Sequence, residues 1–199
     1  MRLLIYGSQI YARLLCEQVR AVGHELVGYI DDFNSGGQVL GSYERVRQEY
    51  PPDSYGLVIG IGYKYFDERW AIYQRATGDG YVCPSLVHPE AYVATTATLL
   101  PGSVVMARAI IDHRVTAGEL SVIWPGANVS HDSVVGRNTF VSPGAVLCGR
   151  VEVGHSVFVG AGAIIADNVR VGSNRFIRAG EVVGPKSQPS VRVTRPSGK

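Results

Sequence analysis

Apolar and polar residues follow two rhythms along this chain, and one gives way to the other near residue 85. Across 1–84 apolar runs alternate with amphipathic stretches. RLLIYG (2–7) reads as a strand, 9–23 as a helix closed by Gly23, and ELVGYIDD (25–32) as a second strand. The stretch 43–50 reads as a short helix stopped by Pro51 and Pro52, GLVIGIG (56–62) as a third strand, and 65–78 as another helix. Strands alternating with helices predict a small parallel sheet of Rossmann-like α/β type. From Val93 an aliphatic residue returns at every sixth position through Leu99, Val105, Ile111, Ala117 and Ile123 and on to Val183, without an insertion. Neither an amphipathic helix nor an alternating strand has that period. It is the period of a parallel β-helix, whose triangular coil is built from three six-residue sides. The ninety-odd residues of this series give about five such coils, each adding roughly 4.8 Å along the axis.

Positions 18 apart then stack, so His113, His131, Gly149 and Asp167 form one column, each two residues past an inward aliphatic and so near a corner. The beat thus leaves His131 and Asp132 outside an apolar core. A carboxylate next to an imidazole orients it and supports its cationic form, as a general base requires. One coil above, Gly149 offers a backbone N–H, without a side chain, to a developing oxyanion. His88, His113 and His155 read as structural or surface histidines. Zinc needs three protein ligands in tetrahedral reach, and no third histidine joins His113 and His131 in a suitable column, so no metal is expected.

In the first half, ligands of a parallel sheet collect at the carboxyl ends of its strands. Here those ends are Gly7, the pair Asp31 and Asp32, and Gly60 to Gly62. The turn GSQIYA has one glycine and no G-x-G-x-x-G pattern. Asp31 and Asp32 suit hydrogen bonds to a ribose or base, and they equally suit a solvated turn.

A net charge of +2, with no basic run interleaved with aromatics, gives no footprint for nucleic acid. No stretch approaches the length of a membrane span, and MRLLIYGSQIYARLLCEQVR turns polar too soon for a signal peptide. A cytoplasmic protein without membrane insertion is expected. Cys16, Cys83 and Cys148 are odd in number and lack metal-type spacing, which predicts buried free thiols.

With these motifs in place, the chain resembles the hexapeptide-repeat sugar acyltransferases that N-acetylate nucleotide-linked amino sugars in bacillosamine and perosamine pathways, and the sialic-acid O-acetyltransferase relatives. YGSQIYARLL sits at that family's glycine-rich turn, GYIDD matches its strand ending in paired aspartates, and VIGIGYKYFDERW matches a strand with a downstream arginine, here Arg69. PSLVHPEAYV resembles the entry into the β-helix, and residues 126–165 match the stretch with the catalytic histidine. The resemblance implies an α/β nucleotide-sugar-binding domain (1–84) followed by an all-β left-handed parallel β-helix (85–199) carrying the acyltransferase activity. It makes His131 the general base, Asp132 its support and Gly149 the oxyanion donor. It places the nucleotide-sugar at Gly7, Ser8, Tyr11, Asp31, Asp32 and Gly62, and acetyl-CoA along the prism near Phe140, Gly149, Ala161 and Ala179. It also implies a homotrimer. Tyr11 and Phe140 stand where members carry histidines, and the C-terminal end lacks their usual glycine-proline-alanine. A sugar O-acetyltransferase and a non-catalytic trimeric ligand-binding homologue are the alternatives.

Overall fold

The computed structural model describes residues 1–185. The altered C-terminal ending lies outside these residues. The chain divides into two compact units, the first spanning Met1–Pro89 and the second starting at Glu90.

The first unit is an α/β layer. Strands β1 (Arg2–Tyr6), β2 (Glu25–Ile30), β3 (Val39–Gly41) and β4 (Gly56–Ile59) form a parallel sheet in the order β3-β2-β1-β4. Helices α1 (Ile10–Ala21), α2 (Tyr43–Glu49) and α3 (Phe66–Gly78) are its partners. β1 is central, and Leu3, Leu4 and Ile5 are fully buried, the near-continuous apolar run a covered parallel strand needs. α1 buries Ala12, Leu15, Cys16 and Val19, one stripe at helical spacing. It ends as predicted at Gly23, whose φ of +75° lets the N–H groups of Gly23 and His24 reach the carbonyls of Arg20 and Val19. β3 has no counterpart among the elements that the sequence pattern predicts. It is three residues long at the sheet edge between Gly37 and Gly41, too short and too glycine-flanked to show a period of its own.

The second unit is a solenoid of about five turns, the left-handed parallel β-helix that the six-residue beat and the resemblance predict. Sixteen two-residue strands, from Tyr92–Val93 to Val182–Val183, stack in three parallel sheets with partners 18 residues apart. Every member of the aliphatic series from Val105 to Val183 is buried. The small residues four positions after them also point inward. Among these, Ser133 Oγ donates to Cys148 O at 3.0 Å and accepts the Val151 N–H at 3.0 Å, tying one coil to the next. The chain turns at residues three past each inward aliphatic, where φ lies between 53° and 74° at every sixth residue from Gly102 to Gly180. Asp132 holds one of these left-handed corners, a conformation aspartate tolerates better than most residues.

One face of the prism lies between the two corners where the acyl donor and the base are expected. Its outward column is Tyr92, Ile110, Asn128, Val146, Ile164 and Val182, of which Tyr92, Ile110, Ile164 and Val182 are exposed. The corner with Ala161 and Ala179 precedes this face along the chain, and the corner with His131, Gly149 and Asp167 follows it.

Candidate active site

At the second of these corners His131 is half-exposed. Its Nδ1 lies 2.9 Å from Asp132 Oδ2. An ionised carboxylate only accepts, so Nδ1 carries the hydrogen, and in the neutral ring Nε2 keeps its lone pair. Asp132 Oδ1 in turn accepts Arg114 Nε at 2.5 Å, one coil below. The hydrogen bonds from His131 and then Arg114 hold the Asp132 carboxyl below its ordinary range. Arg114 Nη1 is 2.9 Å from His113 Nε2. A guanidinium has no acceptor, so that nitrogen accepts, and the Nδ1 of the neutral ring donates to Thr96 Oγ1 at 2.8 Å. His113 is thereby part of the scaffold that fixes Asp132. The sequence pattern did not single out Arg114, although a cation 18 residues before an anion is visible in the six-residue beat.

The ring of His131 lies over Gly149. A β-carbon on Gly149 would sit 2.7 Å from His131 Nε2, 2.8 Å from its Cε1 and 3.1 Å from Asp167 Oδ1. No side chain fits there without displacing the imidazole. The Gly149 N–H is not the idle donor that stacking alone suggests: it donates to Asp167 Oδ1 at 3.0 Å. The column therefore delivers a base lone pair from below and a carboxylate from above to one side-chain-free point. Cys148 is half-buried rather than buried, and burial, aided by the charge of Asp167, pushes its thiol up. Cys16 and Cys83 are buried free thiols. Among the described residues no three His, Cys, Asp or Glu side chains are placed to hold a metal ion.

In the first unit the three strand ends do come together. Gly7 N donates to Ile30 O and Gly60 N to Tyr6 O, each at 2.7 Å. Gly7 has φ +100°, and an added β-carbon would lie 3.0 Å from Gly60 O, so glycine is required twice over. Both aspartates are engaged inside the unit. Asp31 accepts from Ser8 Oγ at 2.5 Å, from the N–H groups of Phe33 and Asn34, and from the Asn34 amide. Burial works to raise its carboxyl, but these bonds outweigh burial and hold it below the ordinary value. Asp32 accepts the Tyr43 N–H at 2.7 Å, at the start of α2, and the Tyr6 hydroxyl.

Asp31 thus ties down the start of the loop 33–38, and Asp32 ties β1 to the start of α2. Under that loop opens a cavity of about 400 Å³ lined by Ser8, Gln9, Arg13, Asn34 and Gln38 among others. Of the six positions expected to meet substrate, Ser8 lines it. Tyr11 is buried in α1, its hydroxyl pushed up to about 12 by burial against the opposing pull of the Arg69 guanidinium. Arg69 is itself fully buried, with Nε donating to Ile61 O at 2.8 Å, and its pKa is lowered to about 10 by burial. The Gly62 α-carbon has open space where a side chain would be. Arg13, Gln9, Asn34 and Gln38 were not legible as a set, because a loop with no period brings them together. In the solenoid Phe140 is buried, whereas Ala161 and Ala179 are exposed.

No protein-family model and no curated protein matches the sequence. Solved structures do. The chain is similar to the acetyltransferase domain of PglB from Neisseria gonorrhoeae, at 26% identity and a TM-score of 0.86, covering 92% of this chain and 91% of that one. The same domain in complex with acetyl coenzyme A gives 25% identity and a TM-score of 0.84, covering 92% of each chain. PerB from Caulobacter crescentus, in complex with CoA and GDP-perosamine, gives 27% identity and a TM-score of 0.84, covering 92% of this chain and 89% of that one. These neighbours are sugar N-acetyltransferases of the hexapeptide-repeat type, the class that the sequence resembles.

Proposed function

We propose that this chain, built like the hexapeptide-repeat sugar N-acetyltransferases, moves an acetyl group from acetyl-CoA to the amino group of a nucleotide-linked sugar, with His131 as general base. The observation that carries this is the His131–Asp132 pair. The 2.9 Å bond to Asp132 consumes Nδ1 and leaves Nε2 of a half-exposed ring as the nitrogen that an amine arriving from solvent can reach. Arg114 and His113 fix the far side of Asp132, so the ring is held by a chain of bonds rather than by one. Acetyl-CoA supplies an activated thioester. The exposed corner at Ala161 and Ala179 and the apolar face between it and His131 fit the thin, uncharged arm of such a donor.

The first unit binds the nucleotide, and its cavity offers Arg13 as the cation for phosphate oxygens. That a similar structure from Caulobacter crescentus is a GDP-perosamine N-acetyl transferase favours an amine over a hydroxyl acceptor. The resemblance to trimeric family members is what supports self-association as a homotrimer. A monomer mass in sedimentation would remove that part of the reading. Three free thiols and a supply of acetyl-CoA agree with a cytoplasmic setting, and among the described residues no helix is long and apolar enough to cross a membrane.

The test is thiol release from acetyl-CoA in the presence of GDP-perosamine and UDP-linked amino sugars. His131→Ala lowers the rate by about two to four orders of magnitude, the usual contribution of a positioned general base. Asp132→Asn slows it less. His155→Ala, at a different corner, leaves it unchanged. Full activity in correctly folded His131→Ala refutes the base assignment.

A further inference from the structure

We infer that Asp167 is the acceptor-selecting residue of this site: its carboxylate receives the ammonium or amine of the sugar on the solvent side of Gly149, next to His131, and thereby distinguishes amines from hydroxyls. The inference rests on the acetyl-transfer reading and deepens it.

Two side chains from opposite directions meet above Gly149. His131 Nε2 and Asp167 Oδ1 both lie within 3.1 Å of the position a Gly149 β-carbon would take. The first is a lone pair and the second an anionic acceptor. Among the described residues the Gly149 N–H is the hydrogen-bond partner the structure gives Asp167. A carboxylate has about four lone-pair directions, so most of its accepting capacity is free for a ligand. Asp167 is exposed on its corner, so a ligand can reach its carboxylate. Cys148, beside it, is not basic. A cationic nitrogen that approaches His131 Nε2 and Asp167 from solvent meets an acceptor on each side, whereas a hydroxyl offers a single hydrogen and no charge.

The same contact has a second consequence. The Gly149 N–H is the backbone donor best placed for a developing oxyanion, and in the resting site Asp167 occupies it. An incoming ammonium draws the carboxylate toward itself and frees the N–H. An acceptor without positive charge does not. Selection and activation of the oxyanion donor are then one movement of a side chain.

The chemistry balances. The bound ammonium gives one proton to solvent and becomes an amine. As its nitrogen lone pair forms the C–N bond to the thioester carbonyl, its surplus proton passes to His131 Nε2. The C–S bond breaks, the sulfur leaves with the bonding pair, and His131 returns the proton to it.

Asp167→Asn keeps an oxygen that can accept the Gly149 N–H but removes the charge, and Asp167→Ala removes both. Both are assayed against GDP-perosamine and UDP-linked amino sugars and against the matching hydroxyl sugar nucleotides, by thiol release and by calorimetric binding without acetyl-CoA. For the amine, kcat/KM falls about tenfold to a hundredfold in both variants, the range of one charge-assisted hydrogen bond. For the hydroxyl sugar the values stay within about threefold, and amine binding weakens in parallel. Melting temperatures remain those of the wild type. If Asp167→Asn behaves as wild type, Asp167 merely supports Gly149 and the inference is wrong. Equal losses for amine and hydroxyl acceptors overturn it too. Absence of turnover in the wild type refutes the acetyl-transfer reading instead, and the binding preference for the amine still decides the role of Asp167.

Discussion

Gly149→Ala separates the demands of the site from those of the fold. The added methyl would lie 2.7 Å from His131 Nε2 and 2.8 Å from Cε1, against the contact of about 3.5 Å that such atoms prefer. One of the two must therefore give by most of an ångström. The backbone of the solenoid is held by the coil above and the coil below, including Asn168 N–H to Gly149 O at 3.0 Å. The imidazole is a half-exposed side chain that can swing, so the ring moves. A misplacement near 1 Å costs about a hundredfold in rate, and acetyl transfer should fall by about that factor. Stability should not fall with it. Gly149 is not in a left-handed conformation, so alanine fits its backbone, and the smaller freedom of the unfolded chain offsets crowding by up to about 1 kcal/mol. Thiol release measured beside thermal melting gives both quantities on one preparation. Wild-type activity in Gly149→Ala refutes the placement of the ring over Gly149. A large loss of melting temperature shows that the backbone yields instead.

Two further outcomes test the units separately. Asp31→Asn should destabilise the first unit by about 1–3 kcal/mol near pH 7, the scale of a lost charge-assisted bond network. The folded carboxyl lies below its ordinary value, so this contribution is present above about pH 4 and disappears as pH falls through the lowered folded value. Urea midpoints of the two proteins should converge in acid, and a gap that persists there contradicts the role given to Asp31. In the solenoid, Ile123→Ala removes a fully buried inward side chain and should cost about 2–5 kcal/mol. Val134→Ala, on an outward and exposed position, should stay within about 0.5 kcal/mol. Similar costs for the two would break the inward and outward alternation on which the prism rests.

The solenoid was legible because its geometry repeats. A period of six fixes which residue points inward, and a coil of 18 fixes which residues stack, so His131, Gly149 and Asp167 fall into one column by counting alone. The same arithmetic gives the corner conformation at Asp132. In the α/β unit the elements with a period of their own, α1 and α3 among them, were equally readable. β3 and the loop 33–38 were not, since three residues and a glycine pair have no period, and their positions follow from Asp31 reaching across to Ser8, Phe33 and Asn34.

A column fixes neighbours but leaves rotamers open, and the chemistry of this corner lies in rotamers. From stacking alone, Gly149 reads as a free donor above a histidine. Once Asp167 bends one coil down, that donor is engaged and a carboxylate meets the imidazole beside Gly149. Once Arg114 bends one coil up, Asp132 accepts from a guanidinium as well as from the imidazole. Each of these pairs is 18 residues apart and opposite in character, N–H to carboxylate and guanidinium to carboxylate. In an apolar-cored prism the corners are the place where such groups can meet without a desolvation cost. The beat that keeps charge out of the core is what collects it along the edges, so in a chain of this kind the search for function begins with polar residues 18 apart that can neutralise one another.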